Sequence, residues 1–213
     1  MHALGVATVE DAERLVQASP LSHIKVGLSD VDGVMLGKYL RRDKFLGALR
    51  SGLAFCDVVF GWDLDDQLYD NTKYTGWHTA YPDAKLRIVP QTGRRLPLEQ
   101  GPGGEDMLLF LAEFEGDAGA ICPRRLLHRT LDRAAGMGYD VYAALEYEFF
   151  MFRETPHSVR AKHYRNMENW TPGNFGYSML RSTVEGDFYR KLLDMCERMD
   201  MPIEGLHTET GPG

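Results

Sequence analysis

Cysteine is scarce in this chain of 213 residues. The sequence has three, Cys56, Cys122 and Cys196, and none of them belongs to a Cys-x-x-Cys pair. This excludes a disulfide scaffold and a zinc ribbon, since both need several cysteines at close and regular spacing. So few cysteines are typical of a protein from a reducing compartment, and we predict a cytoplasmic location.

Basic residues and long apolar runs are also few. Lysine and arginine number 24 against 31 acidic residues, which gives a net charge of −7. A nucleic-acid partner is therefore not expected, because binding the phosphate backbone needs a basic face. The longest apolar run, Met107 to Ala112, is far shorter than the ~20 residues that cross a bilayer. The N-terminus has no basic region of the secretory type, so we expect no association with a membrane.

Three common chemical motifs are missing as well. The sequence contains neither a GxxxxGK[ST] phosphate loop nor an HExxH zinc motif, and Gly136-Met-Gly138 lacks the third glycine of a dinucleotide fingerprint. Any nucleotide or metal chemistry must therefore use other residues.

Local patterns predict a mixed α/β protein in two parts. A hairpin is expected at Asp30-Val-Asp-Gly33, because Asp-Gly between two alternating segments is a strong turn signal. The run Gln100-Gly-Pro-Gly-Gly104 consists of turn residues. We place a domain boundary there, with an N-terminal domain over 1–105 and a second over 106–213 that alternates strands and helices. Its expected elements are a strand at 107–114, a helix at 123–136, a strand at 141–152, a helix capped by Ser182 and Glu185, and a strand at 201–206.

The most informative pattern is Glu146-Tyr-Glu148-Phe-Phe. On a strand, residues two apart point to the same face, so the two carboxylates would lie side by side. Two such groups among aromatic residues need a cation or a shared proton. The alternative is an edge strand whose two glutamates are solvated.

Glu209 is a further candidate, since it follows the apolar segment Met201 to Leu206 and leads into a Gly-Pro-Gly turn. Taken alone it is a surface glutamate at the end of a strand. Together with Glu146 and Glu148 it suggests a site of three carboxylates, and oxygen ligands of this kind select Mg²⁺ or Mn²⁺.

At this point the chain resembles the glutamine synthetase family, in its branch of glutamine-synthetase-like and γ-glutamyl-amine ligases. Four sets of residues carry the resemblance in the right order: Phe60-Gly-Trp62 with Pro82-Asp83, Cys122-Pro-Arg124, Glu146-Tyr-Glu148-Phe-Phe-Met-Phe152, and His207-Thr-Glu209 with the Thr-Gly-Pro-Gly that follows. The implied fold class is α+β, with a small N-terminal β-grasp domain followed by an incomplete α/β barrel of the glutamine synthetase type.

The resemblance implies an ATP-dependent ligase that joins glutamate to ammonia or a small amine through a γ-glutamyl phosphate. Glu148 and Glu209 would hold the metal on the glutamate side, and Glu146 the metal on the ATP side, with Mg²⁺ or Mn²⁺ as the ion. Asp57 or Asp63 would take the place of the amine-binding aspartate. The family also implies a ring-like homo-oligomer.

Chains of this family continue beyond the last motif seen here and supply further metal ligands and arginines. We therefore expect a truncated catalytic domain and no ligase activity from this chain alone. Two alternatives stay open at this stage: a non-catalytic fragment that acts through assembly, and a glycoside hydrolase that uses two carboxylates.

Overall fold

The computed structural model describes residues 3–211, which form seven α-helices and five β-strands. The strands are β1 (His23–Ser29), β2 (Met35–Arg41), β3 (Leu53–Cys56), β4 (Asp83–Gln100) and β5 (Asp106–Phe114). The helices are α1 (Val9–Ala18), α2 (Arg42–Ser51), α3 (Gly116–Ile121), α4 (Pro123–Gly136), α5 (Pro156–Ala161), α6 (Met179–Val184) and α7 (Gly186–Arg198). Over the described part of the chain, no helix combines the length and the apolar character that a membrane span requires.

All five strands belong to one sheet with the order β2-β1-β5-β4-β3. The β1–β2, β3–β4 and β4–β5 pairs are antiparallel, whereas β1 and β5 run parallel, with Val26 opposite Phe110. The fold is therefore mixed α/β, as predicted.

The elements with strong local signals form as predicted. Asp30 accepts hydrogen bonds from the backbone N–H groups of Asp32 (3.0 Å) and Val34 (2.8 Å), which closes the turn between β1 and β2. Gly33 takes a positive φ of 83° in that turn, a conformation that glycine adopts at low cost. Helix α4 begins at Pro123 and ends at Gly136, because proline is favoured in the first turn and needs no N–H partner there.

The predicted boundary at residue 105 is wrong, because one sheet continues across it. Gly101 to Gly104 is a hairpin turn in which Gly101 donates to the carbonyl of Glu105 (2.8 Å). The strand that follows, β5, pairs with β4 and β1 instead of starting a second domain. A turn of this composition ends a strand, but it does not determine which sheet the next strand joins.

Two compact units divide the chain at a later point. The first comprises Met1–Val141 with Arg198–Asp200, and the second comprises Tyr142–Glu197 with Met201–Gly213. Every fully buried apolar side chain among the described residues lies between Val6 and Cys122, within the first unit. Its core includes Phe45, Phe110 and Phe114, which lie between the sheet and the helices packed on it.

The second unit is built differently from the prediction. Residues 139–151 and 201–206 form no regular strand, and Phe152, the last residue of the predicted strand at 141–152, makes a single bridge with Asn169. Ser178, not Ser182, caps a helix here, since its side chain accepts from the N–H of Arg181. A strand forms only where a neighbouring strand pairs with its backbone N–H and C=O groups, and the sequence pattern of a segment does not show whether such a neighbour exists.

Candidate functional site

Glu146 and Glu148 lie in the irregular segment at 139–151, and both side chains are exposed. The strand face that they were predicted to share is not formed. The apolar residues around them are exposed as well, since Leu145 and Tyr147 each keep 79% of their surface in solvent. The two carboxylates are thus solvated in this structure and are not held together in a dry environment.

Glu209 is held by two aromatic side chains. The hydroxyl of Tyr177 donates to its Oε1 at 3.0 Å, and Nε2 of His207 lies 2.9 Å from the same oxygen. The rings of Tyr177 and His207 stack with centroids 4.8 Å apart and planes inclined by 13°. This arrangement fixes the direction in which the Glu209 carboxylate points.

Hydrogen bonds and nearby charges shift the pKa values of Glu209 and Tyr177. The hydrogen bond from His207, followed by the one from Tyr177, holds the pKa of Glu209 below its usual value. The bond to Glu209 raises the pKa of Tyr177, and the negative charges of Glu209, Glu146 and Glu148 add to that effect. All three predicted carboxylates therefore act on the same tyrosine hydroxyl.

One backbone hydrogen bond and one side-chain contact bring together three segments: 139–151, the residues before α6, and the residues around Glu209. The N–H of Tyr177 donates to the carbonyl of Thr208 at 2.7 Å, which joins the segment before α6 to the segment that carries Glu209. The ring of Phe150 lies where a Cβ on Gly211 would stand, at 2.5 Å from Cε1, so only glycine fits at position 211. The segment with Glu146 and Glu148 therefore passes close to Gly211. The Pro212–Gly213 end of the predicted turn lies outside the described residues.

Glu146, Glu148 and Glu209 offer carboxylate oxygens, which are the ligand type that a hard divalent cation prefers. They do not form a metal site in this geometry: within residues 3–211, no three His, Cys, Asp or Glu side chains converge closely enough to share an ion. In addition, the Glu209 oxygen that a metal would need is engaged with Tyr177 and His207. Binding of a metal would require the carboxylates to move toward one another.

The two aspartates predicted to bind the amine both lie in the first unit. Asp57 is buried, and its Oδ1 accepts from the hydroxyl of Thr75 at 2.5 Å. Asp63 is half-buried in a loop, where its Oδ1 accepts from the N–H groups of Asp65 and Gln67, both at 2.9 Å. Asp57 is thus fixed by the fold, whereas Asp63 organises a turn that remains partly open to solvent.

Comparisons with known proteins point to one family. Residues 120–213 match the model of the glutamine synthetase catalytic domain. Over 201 residues, the chain is 39% identical to type-1 glutamine synthetase 2 of Dictyostelium discoideum, covering 93% of this chain and 37% of that protein. This chain belongs to the glutamine synthetase family. It is also 28% identical over 199 residues to a glutamate–isopropylamine ligase from a Pseudomonas species, covering 93% of this chain and 43% of that protein.

Solved structures of the family share the fold. The glutamine synthetase of Plasmodium falciparum superposes with a TM-score of 0.63 at 13% identity, over the whole of this chain and 44% of that one. A novel glutamine synthase homolog gives a TM-score of 0.59 at 16% identity, over 91% of this chain and 42% of that one. The chain thus spans less than half the length of each of these relatives.

Tyr177 is the site residue that the sequence analysis missed. It lies in a polar loop, and nothing in its own neighbourhood distinguishes it from other loop tyrosines. Its positive φ of 58° is uncommon for a residue with a side chain, and only the structure reveals it. The partner that gives it significance, Glu209, is 32 residues away in the sequence.

Proposed function

We propose that this chain is part of an ATP-dependent ligase of the glutamine synthetase type. The reaction would join the γ-carboxylate of glutamate to ammonia or a small amine. The glutamate oxygen attacks the γ-phosphorus of ATP, ADP leaves, and the amine nitrogen then displaces phosphate from the acyl phosphate. Membership of the family supports this reaction. The observation that carries it is the set of three carboxylates near Tyr177, those of Glu146, Glu148 and Glu209.

The resemblance to the family supports a role for each of the three carboxylates. Glu148 and Glu209 would bind a divalent metal on the side of glutamate, and Glu146 would bind one on the side of ATP. Such a metal, Mg²⁺ or Mn²⁺, would neutralise phosphate charge when bound. From this chain itself, Tyr177 and His207 orient the Glu209 carboxylate through the two contacts to its Oε1.

The amine would be bound by Asp57 or Asp63. Asp57 is the better fixed of the two, since it is buried and bonded to Thr75. Asp63 is the more accessible, and a carboxylate must be accessible if it is to meet an ammonium group. Both residues therefore stay in the proposal, and separate asparagine variants would distinguish them.

We further propose that the first unit contains the family's β-grasp domain, and that the second unit belongs to the first part of its catalytic barrel. The exposed apolar side chains of 142–150 support this assignment, since strands of a barrel bury such residues against one another. A ring-like homo-oligomer would place the first unit of one subunit beside the barrel of the next. The absence of disulfides among Cys56, Cys122 and Cys196 in the structure is compatible with the proposed cytoplasmic location.

A chimera tests the ligase proposal. Residues 3–211 would replace the matching segment of the Dictyostelium relative, and phosphate release would be measured with ATP, Mg²⁺, glutamate and an amine. We expect release that depends on both glutamate and amine, and a loss of at least about a hundredfold in the Glu148→Ala and Glu209→Ala variants. Glu204→Ala changes an exposed glutamate outside the proposed site and is the matched control.

The outcomes separate the proposal from its alternatives. A folded chimera that releases no phosphate would support a fragment that acts only through assembly. Hydrolysis of a glycoside without metal would support the hydrolase. Release that Glu209→Ala leaves unchanged would contradict the role given to that residue.

A further inference from the structure

The first unit contains a concentration of positive charge around one buried carboxylate. Glu113, on β5, has no exposed side-chain surface. Its Oε1 accepts from Arg87 and, at 3.4 Å, from Nη1 of Arg125, while Nε of Arg124 and Nε2 of His128 lie 3.4 and 3.8 Å from Oε2. Three guanidinium groups therefore share a single carboxylate, in a chain whose net charge is −7.

Neighbouring acidic groups do not balance this excess. Glu115 is paired with Lys85 at 3.1 Å and lies 3.9 Å from Nε of Arg87. Burial alone would raise the pKa of Glu113, but Arg87 and Arg125 hold it below its usual value, so this carboxylate is ionised, with its Oε1 engaged by both arginines. Among these ion pairs, four permanently charged cations face two carboxylates.

Arg124 is the least satisfied of these cations. Its Nε is buried and makes no hydrogen bond to any group in the described part of the chain. Its contact with Glu113 at 3.4 Å is an ion pair without hydrogen-bond geometry. Oε2 of Glu113 is likewise buried without a hydrogen bond, and the Arg124 side chain keeps 32% of its surface exposed, where its charge can meet a further anion.

Arg124 also lines a cavity of about 270 Å³. Residues of β1, β2, β5 and the first turns of α4 form its walls. The apolar part is provided by Met35, Leu111 and Leu127, and Met35 and Leu127 are 55% and 58% exposed. Ser29 is the hydroxyl-bearing residue of the lining. An apolar wall with one cationic group and one hydroxyl is the pattern of a site for a small ligand.

We propose that this cavity binds a small amphipathic carboxylate. Its alkyl or aryl part would lie against Met35, Leu111 and Leu127, and its carboxylate would accept from Arg124 and Ser29. The volume limits the ligand to about the size of a six- to eight-carbon acid, since pockets for drug-sized ligands run from about 300 to 1,000 Å³. This site uses none of the residues assigned to the ligase reaction and does not depend on that proposal.

The test compares three ligands of one shape and different charge. Hexanoate, hexan-1-ol and hexylammonium would be titrated into the 213-residue chain and followed by amide chemical shifts. We expect hexanoate to bind at least about tenfold more tightly than hexanol, because a charge-assisted hydrogen bond contributes that much. Hexylammonium should bind more weakly than both, and the hexanoate shifts should be largest near Ser29 and Leu127.

Three variants make the result specific. Arg124→Gln should weaken hexanoate about tenfold and leave hexanol unchanged, whereas Arg133→Gln, on the same helix outside the cavity, should change neither. Leu127→Asp places a negative charge at an exposed wall position and should abolish hexanoate binding even if Arg124→Gln fails to fold. Equal binding of hexanoate and hexanol, or shifts confined to residues 142–211, would overturn the proposal.

Discussion

The imidazole of His207 lies flat against the phenol ring of Tyr177, with centroids 4.8 Å apart. Both side chains contact the same atom, Oε1 of Glu209. Stacking holds the two polar groups at a fixed spacing, so the carboxylate meets a prepared pair of partners. The orientation and the charge of the Glu209 carboxylate therefore depend on Tyr177 and His207, neither of which is a proposed metal ligand.

This coupling predicts a change in the acidity of Glu209. The contact from His207 lowers its pKa most and the bond from Tyr177 adds to it, so His207→Ala and Tyr177→Phe should each raise that pKa toward the usual value. Carbon-detected NMR titration of the glutamate carboxyl groups in metal-free chain measures it. The exposed Glu204 should be unaffected, and an unchanged Glu209 in both variants would contradict the assignment.

Glu154 gives a prediction about acid stability. Lys162 donates to its Oε1 at 2.6 Å, the N–H of Glu168 donates to the same oxygen, and the hydroxyl of Ser158 donates to Oε2. These bonds lower the pKa of Glu154 from 4.5 to about 2. A depressed pKa stabilises the folded loop above pH 4.5, and this contribution is lost as the pH falls toward 2. The protection factor of the Glu168 amide, which is the intrinsic exchange rate divided by the measured rate at the same pH, should fall over that window. In Glu154→Gln protection should be low at all pH values, and a wild-type protection factor in that variant would refute the prediction.

Asp57 is predicted to depend on Thr75. Thr75→Val removes the hydroxyl that bonds Asp57 and leaves a buried carboxylate oxygen without this donor, at a cost of about 1–3 kcal/mol. Urea denaturation measures the loss. Thr130→Val, which removes an exposed helical hydroxyl from the same unit, should stay within about 0.5 kcal/mol of wild type. Equal effects of the two substitutions would show that Asp57 is not held in this way.

The two units should differ in how they depend on aromatic residues. Phe110 is fully buried against Phe45, so Phe110→Ala should lower the free energy of unfolding of the first unit by about 3–5 kcal/mol. Phe150, in the second unit, is 64% exposed, so Phe150→Ala should change the free energy of unfolding of that unit by less than about 1 kcal/mol. Denaturation followed at one amide of β5 and one amide of α7 measures the two units separately. A large effect of Phe150→Ala would mean that the second unit has a core that this structure lacks.

Sequence reasoning succeeded where the determining contacts are local. Helix α4 begins at Pro123 and ends at Gly136, the bounds that the sequence predicts. The turn from Asp30 to Gly33 is closed by contacts within four residues. In such segments the residues that decide the conformation lie together in the sequence and can be recognised there.

It failed where a distant partner decides the outcome. The parallel pairing of β5 with β1 joins Phe110 to Val26, and no pattern in either strand specifies that neighbour. The segment around Glu146 has the composition of a strand, but it finds no partner and stays irregular. The three arginines around Glu113 were not predicted for the same reason, since Arg87 is 26 residues away from the carboxylate that it neutralises.

Binding of Mn²⁺ tests the proposed metal roles most directly, namely that Glu148 and Glu209 hold one divalent ion and Glu146 holds a second. Free Mn²⁺ would be measured by electron paramagnetic resonance during titration of the 213-residue chain. The account predicts binding by wild type that weakens at least about tenfold in Glu148→Gln and in Glu209→Gln, while Glu204→Gln binds like wild type. Absence of binding, or equal binding in all four proteins, would contradict it.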